Sequence, residues 1–221
     1  MSDSWKVQFA AFITTQLPPN DPAHDLAHVR RVVANARALA AAEGADLAVV
    51  LPAAWLHDCV VVPKDSAQRS QASRLAAARA VEYLNEIGYP HAHIPAIAHA
   101  IEAHSFTARI PPETLEARVV QDADRLDALG AVGIARTLML GATMGKPLYD
   151  EAEPLPVIRT PDDGANIIDH FYTKLLRLAD MMQTGAGQRE AERRTRLMRV
   201  YLAELGRELS GGFDDEPTPA G

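Results

Sequence analysis

Three things are scarce in this 221-residue chain: cysteine, aromatic residues and runs of one charge or one polarity. A single cysteine, Cys59, leaves no internal disulfide framework. Aromatics make up 5% against a hydrophobic fraction of 48%, so the core must come from alanine, leucine, valine and isoleucine. Chains of that kind lean helical, because such residues lose little side-chain freedom in a helix. Lys and Arg number 22 against 29 Asp and Glu, a net charge of −7, and no basic stretch stands out. A footprint for long nucleic acids is therefore missing, although a small anion held by a few local cations stays possible. No apolar run reaches spanning length, and the first residues lack the basic and apolar regions of a leader. These absences lead to the expectation of a soluble, cytoplasmic protein without membrane or long nucleic-acid partners. Nothing specifies an oligomeric state.

What is present reads as helix almost throughout, without internal repeats. The expected fold is all-α: one helical bundle over residues 1–210, with a C-terminal helical extension and a disordered Gly/Pro/acidic tail at 211–221. A first helix is expected over 4–17, stopped by Pro18 and Pro19. A second carries Val29, Val32, Val33, Ala36, Leu39 and Ala40 at helical spacing and ends at Gly44. A short apolar helix ends in Trp55-Leu56-His57-Asp58; either Asp46 or Pro52 opens it. Further helices are expected over 65–87, capped by Ser66 or Ser70 and closed by Gly88, and over 94–104. Two stretches follow in 113–144, with Gly130 and Gly133 between them. The Pro/Gly-rich segment 145–164 reads as an excursion or lid, followed by helices over 165–184 and 188–209.

Three segments carry chemistry: His24-Asp25-Leu26-Ala27-His28, Ala54-Trp55-Leu56-His57-Asp58, and Val119 to Ala131, which holds Asp122, Asp124 and Asp127. The helix before His57 and Asp58 is strongly apolar and points inward. Buried ionisable groups are costly unless they are paired or bind a cation. Taken alone, a His-Asp doublet is more often a carboxylate fixing a tautomer, or a helix end, and Asp124-Arg125 is more often a surface pair. The ordered set is far more specific than either piece.

That ordered set resembles the HD superfamily of metal-dependent phosphohydrolases. The stretches HDLAHVRRV, AAWLHD, IEAHSFTA, VVQDADRLDALGAVGIAR and DHFYTKLLRL resemble those of a bacterial YedJ-like subgroup, related to small nucleotide pyrophosphohydrolases. They lie between residues 24 and 182, with the metal-binding core at about 22–135. The resemblance implies one divalent metal held by His28, His57, Asp58 and Asp124. Mixed N/O ligation suits Mn, Fe, Co, Ni or Zn better than Mg. It also implies metal-assisted hydrolysis of a small phosphorylated metabolite, favouring a nucleoside triphosphate cleaved to monophosphate and pyrophosphate. The alternatives are a nucleotidase or phosphodiesterase on another phosphoester, a nucleotide-sensing module with little turnover, and, in another class, a purely structural helical protein.

Around the metal set, Asp58 or His104 is expected to relay a proton, with His104 contacting substrate or the attacking water. His24, one turn before His28, is given a supporting or substrate-side role. Asp127, one turn after Asp124, is expected to support a ligand or touch substrate, and Asp122 to be structural. Lys64, Arg69 and Lys174 are the phosphate-binding candidates, although each taken singly is equally well a solvated surface cation. His99 and His104 lie where some relatives place a second metal, but five residues apart on a helix they diverge by about 140°. His99 reads better as a satisfied core histidine, and Cys59 as a small packed residue.

Overall fold

The computed structural model describes residues 3–17, 25–62, 66 and 68–211, the side chains of 3 and 4 excepted. His24, Lys64 and the tail beyond Gly211, all singled out above, lie outside the described residues. The elements are α1 (Asp3–Gln16), α2 (Leu26–Glu43), α3 (Leu47–Leu56), α4 (Ala72–Glu86), α5 (Ile94–His104), α6 (Leu115–Asp127), α7 (Gly130–Thr143), α8 (Asp169–Thr173) and α9 (Gly185–Leu209). Among the described residues there is no strand, and no single helix is long and apolar enough to cross a membrane.

Local chemistry sets the helix ends that matter. The Asp25 side chain accepts from His28 N at 2.7 Å and starts α2, so His28 stands in its first turn. Gly44, at φ 77°, ends it in the left-handed conformation. Asp46, not Pro52, opens α3 by accepting from Ala48 N at 2.8 Å. Pro52 sits inside that helix and has no N–H for Ala48 O; the Tyr89 hydroxyl donates to that carbonyl instead, at 2.7 Å.

α2, α3, α5 and α6 pack on one another as the centre of the bundle, with α4 against α5 and α9 against α6 and α7. Asp122 is fully buried and ties α6 to the start of α9. Its carboxylate accepts from Gln183 N (2.9 Å), Thr184 N (2.8 Å) and Thr184 Oγ1 (2.8 Å), the structural role expected of it.

Two expected helices are shorter. Over 65–87 the α-helix begins only at Ala72, after a 3₁₀ turn at Arg69–Gln71, and neither helical start has a side-chain cap. Over 165–184, α8 gives way at Lys174 (φ −134°) to the 3₁₀ turns Leu175–Arg177 and Ala179–Met181. Phe171, Leu175 and Leu178 are buried all the same. Periods of 3.0 and 3.6 residues differ too little over two turns for an apolar pattern to separate them. Gly133, expected between two helices, lies inside α7: a Cβ there would sit 2.2 Å from Ala128 O.

Candidate metal centre and substrate cavity

Four helix ends converge on one point. The first turn of α2 delivers His28, the residues just past α3 deliver His57 and Asp58, the last residue of α5 is His104, and the last turn of α6 holds Asp124 and Asp127. The two imidazoles meet through His28 Nε2 and His57 Nε2, 3.3 Å apart. Asp58 Oδ2 lies 3.3 Å from His57 Nε2 and 3.7 Å from His28 Nε2. Asp124 Oδ1 lies 3.6 Å from His28 Nε2 and 3.9 Å from His57 Nε2. Donors bound at about 2.1 Å to one ion stand roughly 3.0 to 3.4 Å from their neighbours in octahedral or tetrahedral arrangements. Two of the observed spacings, at 3.3 Å, fall inside that range, and the other three, at 3.6–3.9 Å, lie just beyond it, close enough for a cation to draw the groups together. His28, His57 and Asp58 already offer donor atoms within 4.8 Å of one another.

The remaining ring nitrogens are committed elsewhere. His57 Nδ1 donates to Ala54 O at 2.9 Å, which leaves the Nε2 lone pair aimed at the centre. His28 Nδ1 donates to Asp127 Oδ2 at 2.7 Å. Carboxylate–histidine pairs of this kind orient metal-bound imidazoles and raise their basicity. Asp127 is buried, and Arg31 Nε and Nη2 also donate to it, at 2.6 and 3.1 Å, as does Arg136 Nη1. It does not line the cavity, so of its two expected roles the structure supports the one behind His28 and not contact with substrate.

The electrostatics point the same way. Burial pulls the His28 imidazole down, but the Asp127, Asp58 and Asp124 carboxylates outweigh it and push its pKa up to about 9. Asp58, which burial would raise, is held well below the usual carboxylate range by His57, His104 and His28. Burial lowers His104 too, yet Asp58 and Asp124 raise it above the ordinary imidazole value. Two imidazole lone pairs and two carboxylates around one point fit a divalent cation of the N/O-preferring kind.

His104 Nδ1 donates to Ile101 O at 2.6 Å, so its Nε2 is the end facing Asp58 Oδ1, 3.6 Å away. His99 stands apart from this cluster and accepts from Glu113 N at 3.0 Å, satisfied as expected but half-buried rather than in the core. Cys59 is buried with Sγ on Ala76 O, at 3.3 Å.

A cavity of about 540 Å³ opens onto His28, Asp58, His104 and Asp124. Arg69 and Lys174, the two described phosphate-binding candidates, line it. Arg69 Nη1 also donates to Val62 O at 2.8 Å, and Lys174 Nζ lies 5.9 Å from the centre of the Phe106 ring. Arg125, which the sequence sets beside Asp124 as a neighbour pointing in a different direction, also lines it, as do Arg136, Lys146 and His170, which the sequence does not single out. Arg136 follows Asp127 by nine residues within the quoted motif, yet no spacing rule ties it to that carboxylate. Lys146 stands in the segment read only as a lid.

The comparisons with known proteins agree with this geometry. The HD domain family matches residues 25–129. The uncharacterized protein YpgQ of Bacillus subtilis is 33% identical over 208 residues, which cover 92% of this chain and 93% of that protein. The crystal structure of Bacillus subtilis YpgQ in complex with ADP superposes with a TM-score of 0.71 at 33% identity, over 91% of this chain and 93% of that one. An HD-superfamily hydrolase from Bacillus thuringiensis gives a TM-score of 0.72 at 31% identity, over 95% and 99%. With its doublet at His57 and Asp58 inside the matched region, this chain belongs to the HD superfamily of hydrolases.

Proposed function

We propose that this hydrolase is a metal-dependent phosphohydrolase of nucleotides, of the YedJ-like kind, cleaving a nucleoside triphosphate to monophosphate and pyrophosphate. One observation carries the reading. Two imidazole Nε2 atoms and two carboxylates converge at the edge of a 540 Å³ cavity that Arg69, Arg125, Lys146 and Lys174 also line. That size suits a nucleotide-sized ligand, and the ADP bound to the similar YpgQ supports the class.

In this reading His28, His57, Asp58 and Asp124 hold the ion, which when bound supplies an activated water and polarises a phosphoryl oxygen. Asp127 keeps His28 in the tautomer that presents Nε2. His104 Nε2, facing Asp58 Oδ1, holds or delivers a proton at the cavity wall, and Asp58 is its partner in that transfer. Arg69 and Lys174 meet the phosphates. Lys64 and His24 keep the substrate-side roles proposed from the sequence.

The test is a product assay. Metal-free protein is reloaded with Mn, Co, Ni, Zn or Mg and offered nucleoside mono-, di- and triphosphates. Monophosphate and pyrophosphate from a triphosphate is the expected result, lost in His57→Ala and Asp58→Ala together with bound metal while helical content persists. Orthophosphate released only from monophosphates would make the protein a nucleotidase. Stoichiometric nucleotide binding without turnover under any metal would favour a sensor.

A further inference from the structure

The wall of the cavity contributed by residues 145–168 is a braced loop. Ile167 N donates to Pro147 O (3.1 Å) and Ile168 N to Leu148 O (2.9 Å), which closes its base. Inside it, Glu153 accepts from Val157 N (2.8 Å), Ile158 N (2.5 Å) and Arg159 N (3.0 Å). Arg159 in turn grips the fully buried Asp169 with both terminal nitrogens, at 2.5 and 2.6 Å, and Asp162 N adds a bond to the same carboxylate at 2.6 Å. Through Asp169, the first residue of α8, this network is tied to that helix, and the next residue is His170.

His170 lines the cavity, and Asp163 Oδ2 lies 2.9 Å from its Nδ1. Thr173 Oγ1 donates to that same oxygen at 2.9 Å, and Lys146 Nζ donates to Asp163 O. A carboxylate at Nδ1 puts the ring proton there and leaves Nε2 as a lone pair. Nε2 has no hydrogen-bond partner among the described residues, and the side chain keeps a third of its surface exposed. Burial lowers the His170 pKa below the usual imidazole value, and Lys174 and Lys146 add to this against Asp163. A lone pair facing a bound nucleotide cannot be satisfied by ionised phosphate, whose oxygens only accept. The donors of a nucleotide sit on its sugar and base.

We propose that His170 is a specificity-determining residue whose Nε2 accepts a hydrogen bond from a hydroxyl or amino group on the uncharged, nucleoside part of the substrate. The inference rests on the nucleotide reading above and goes beyond it by saying which end of the substrate the loop inspects. It also explains the segment Asp169 to Lys174 as a unit: Asp169 anchors the loop, His170 reads the nucleoside, Thr173 steadies Asp163, and Lys174 faces the phosphates.

The test uses the metal-loaded full chain and matched triphosphates: a 2′-deoxynucleotide against its 2′,3′-dideoxy form, and an adenine nucleotide against its unsubstituted purine counterpart. The wild type is expected to favour the donor-bearing member of one pair by about three- to tenfold in kcat/KM, the range of one neutral hydrogen bond. In His170→Phe that ratio falls to near one. The pair whose ratio collapses tells hydroxyl from amino. Asp163→Ala, which frees the tautomer, should reduce the same ratio and serves if the phenylalanine variant does not fold. Ratios unchanged in the variants, or an equal loss on every substrate, would overturn the assignment. A wild type that turns over no nucleotide overturns the nucleotide reading itself, a result visible before any variant is made.

Discussion

Asp127→Asn tests whether the metal centre depends on the carboxylate behind His28. The two side chains have nearly the same shape, so packing is kept and the donor pattern alone changes. Asp127 Oδ2 receives His28 Nδ1, Arg31 Nη2 and Arg136 Nη1, while Oδ1 receives Arg31 Nε. Either orientation of an amide therefore sets an N–H against an N–H. One remedy is for His28 to move its proton to Nε2, which removes the lone pair from the centre. Losing an outer partner of a metal-bound histidine costs about 10- to 100-fold in metal affinity, or roughly 1.4 to 2.7 kcal/mol. Competition with a fluorescent chelator for Mn, Co or Zn reads this directly. Asp122→Asn is the control, since it removes a buried carboxylate from the same helix but one that bonds Gln183 and Thr184. It should leave metal affinity within about twofold while costing roughly 1–3 kcal/mol of stability, a fall of about 2–12 °C in Tm for a chain of this size. Unchanged metal affinity in a cooperatively folding Asp127→Asn, or equal metal loss in both variants, would refute the reasoning.

The braced loop should be acid-labile. The Arg159 pair and the Asp162 N–H, outweighing burial, hold the Asp169 pKa below its ordinary value of 3.8. The carboxylate's contribution is thus complete above about pH 4 and is lost as pH falls below it. Limited proteolysis with an acid-active protease should begin within 145–168 below pH 4, and Asp169→Asn should be cut there near pH 7; equal resistance of both proteins would argue against the brace. Tyr89→Phe should cost about 1 kcal/mol by leaving Ala48 O without its donor. The same change should cost measurably less in a Pro52→Ala background, which regains the helical N–H, and thermal unfolding of the four proteins shows whether the two sites couple. Gly187→Ala places a Cβ 2.3 Å from Asp122 Oδ2. It should lower Tm by more than Gly44→Ala, whose Cβ would meet nothing within 4 Å and whose cost is the left-handed backbone alone, about 1 kcal/mol.

Much of the metal end was legible because it is written in short-range chemistry. Asp25 and Asp46 are helix starts that a reader can recognise, and they set where His28, His57 and Asp58 emerge. An imidazole and a carboxylate side by side at the end of an apolar helix signal burial, and the α6 pattern separates Asp122 from Asp124 and Asp127 by direction alone. Which of two roles Asp127 takes was not legible, because the deciding partners lie 96 and 99 residues away at Arg31 and His28. Pro52 misled in the same manner: the donor that lets it sit inside α3 is Tyr89, outside any local window.

The substrate end was legible in outline only, and for a physical reason. Its wall is made of backbone N–H groups caught by Glu153 and Asp169 and of a histidine turned by Asp163, in pairings with no helical period to betray them. Composition marked 145–164 as an excursion and suggested a lid. Bonds at its base and two buried or backbone-saturated carboxylates brace it as a wall of the cavity. A wall braced in this way can hold the His170 ring at one place on the cavity's edge, which discrimination by a single hydrogen bond requires. A loop that closed on each substrate would first have to order those same groups, and ordering costs about 1–2 kcal/mol per residue, as much as the bond could return. The metal set and the nucleoside-reading histidine thus make opposite demands on the chain. The first needs only helix ends that cap well, and the second needs a loop already folded before the substrate arrives.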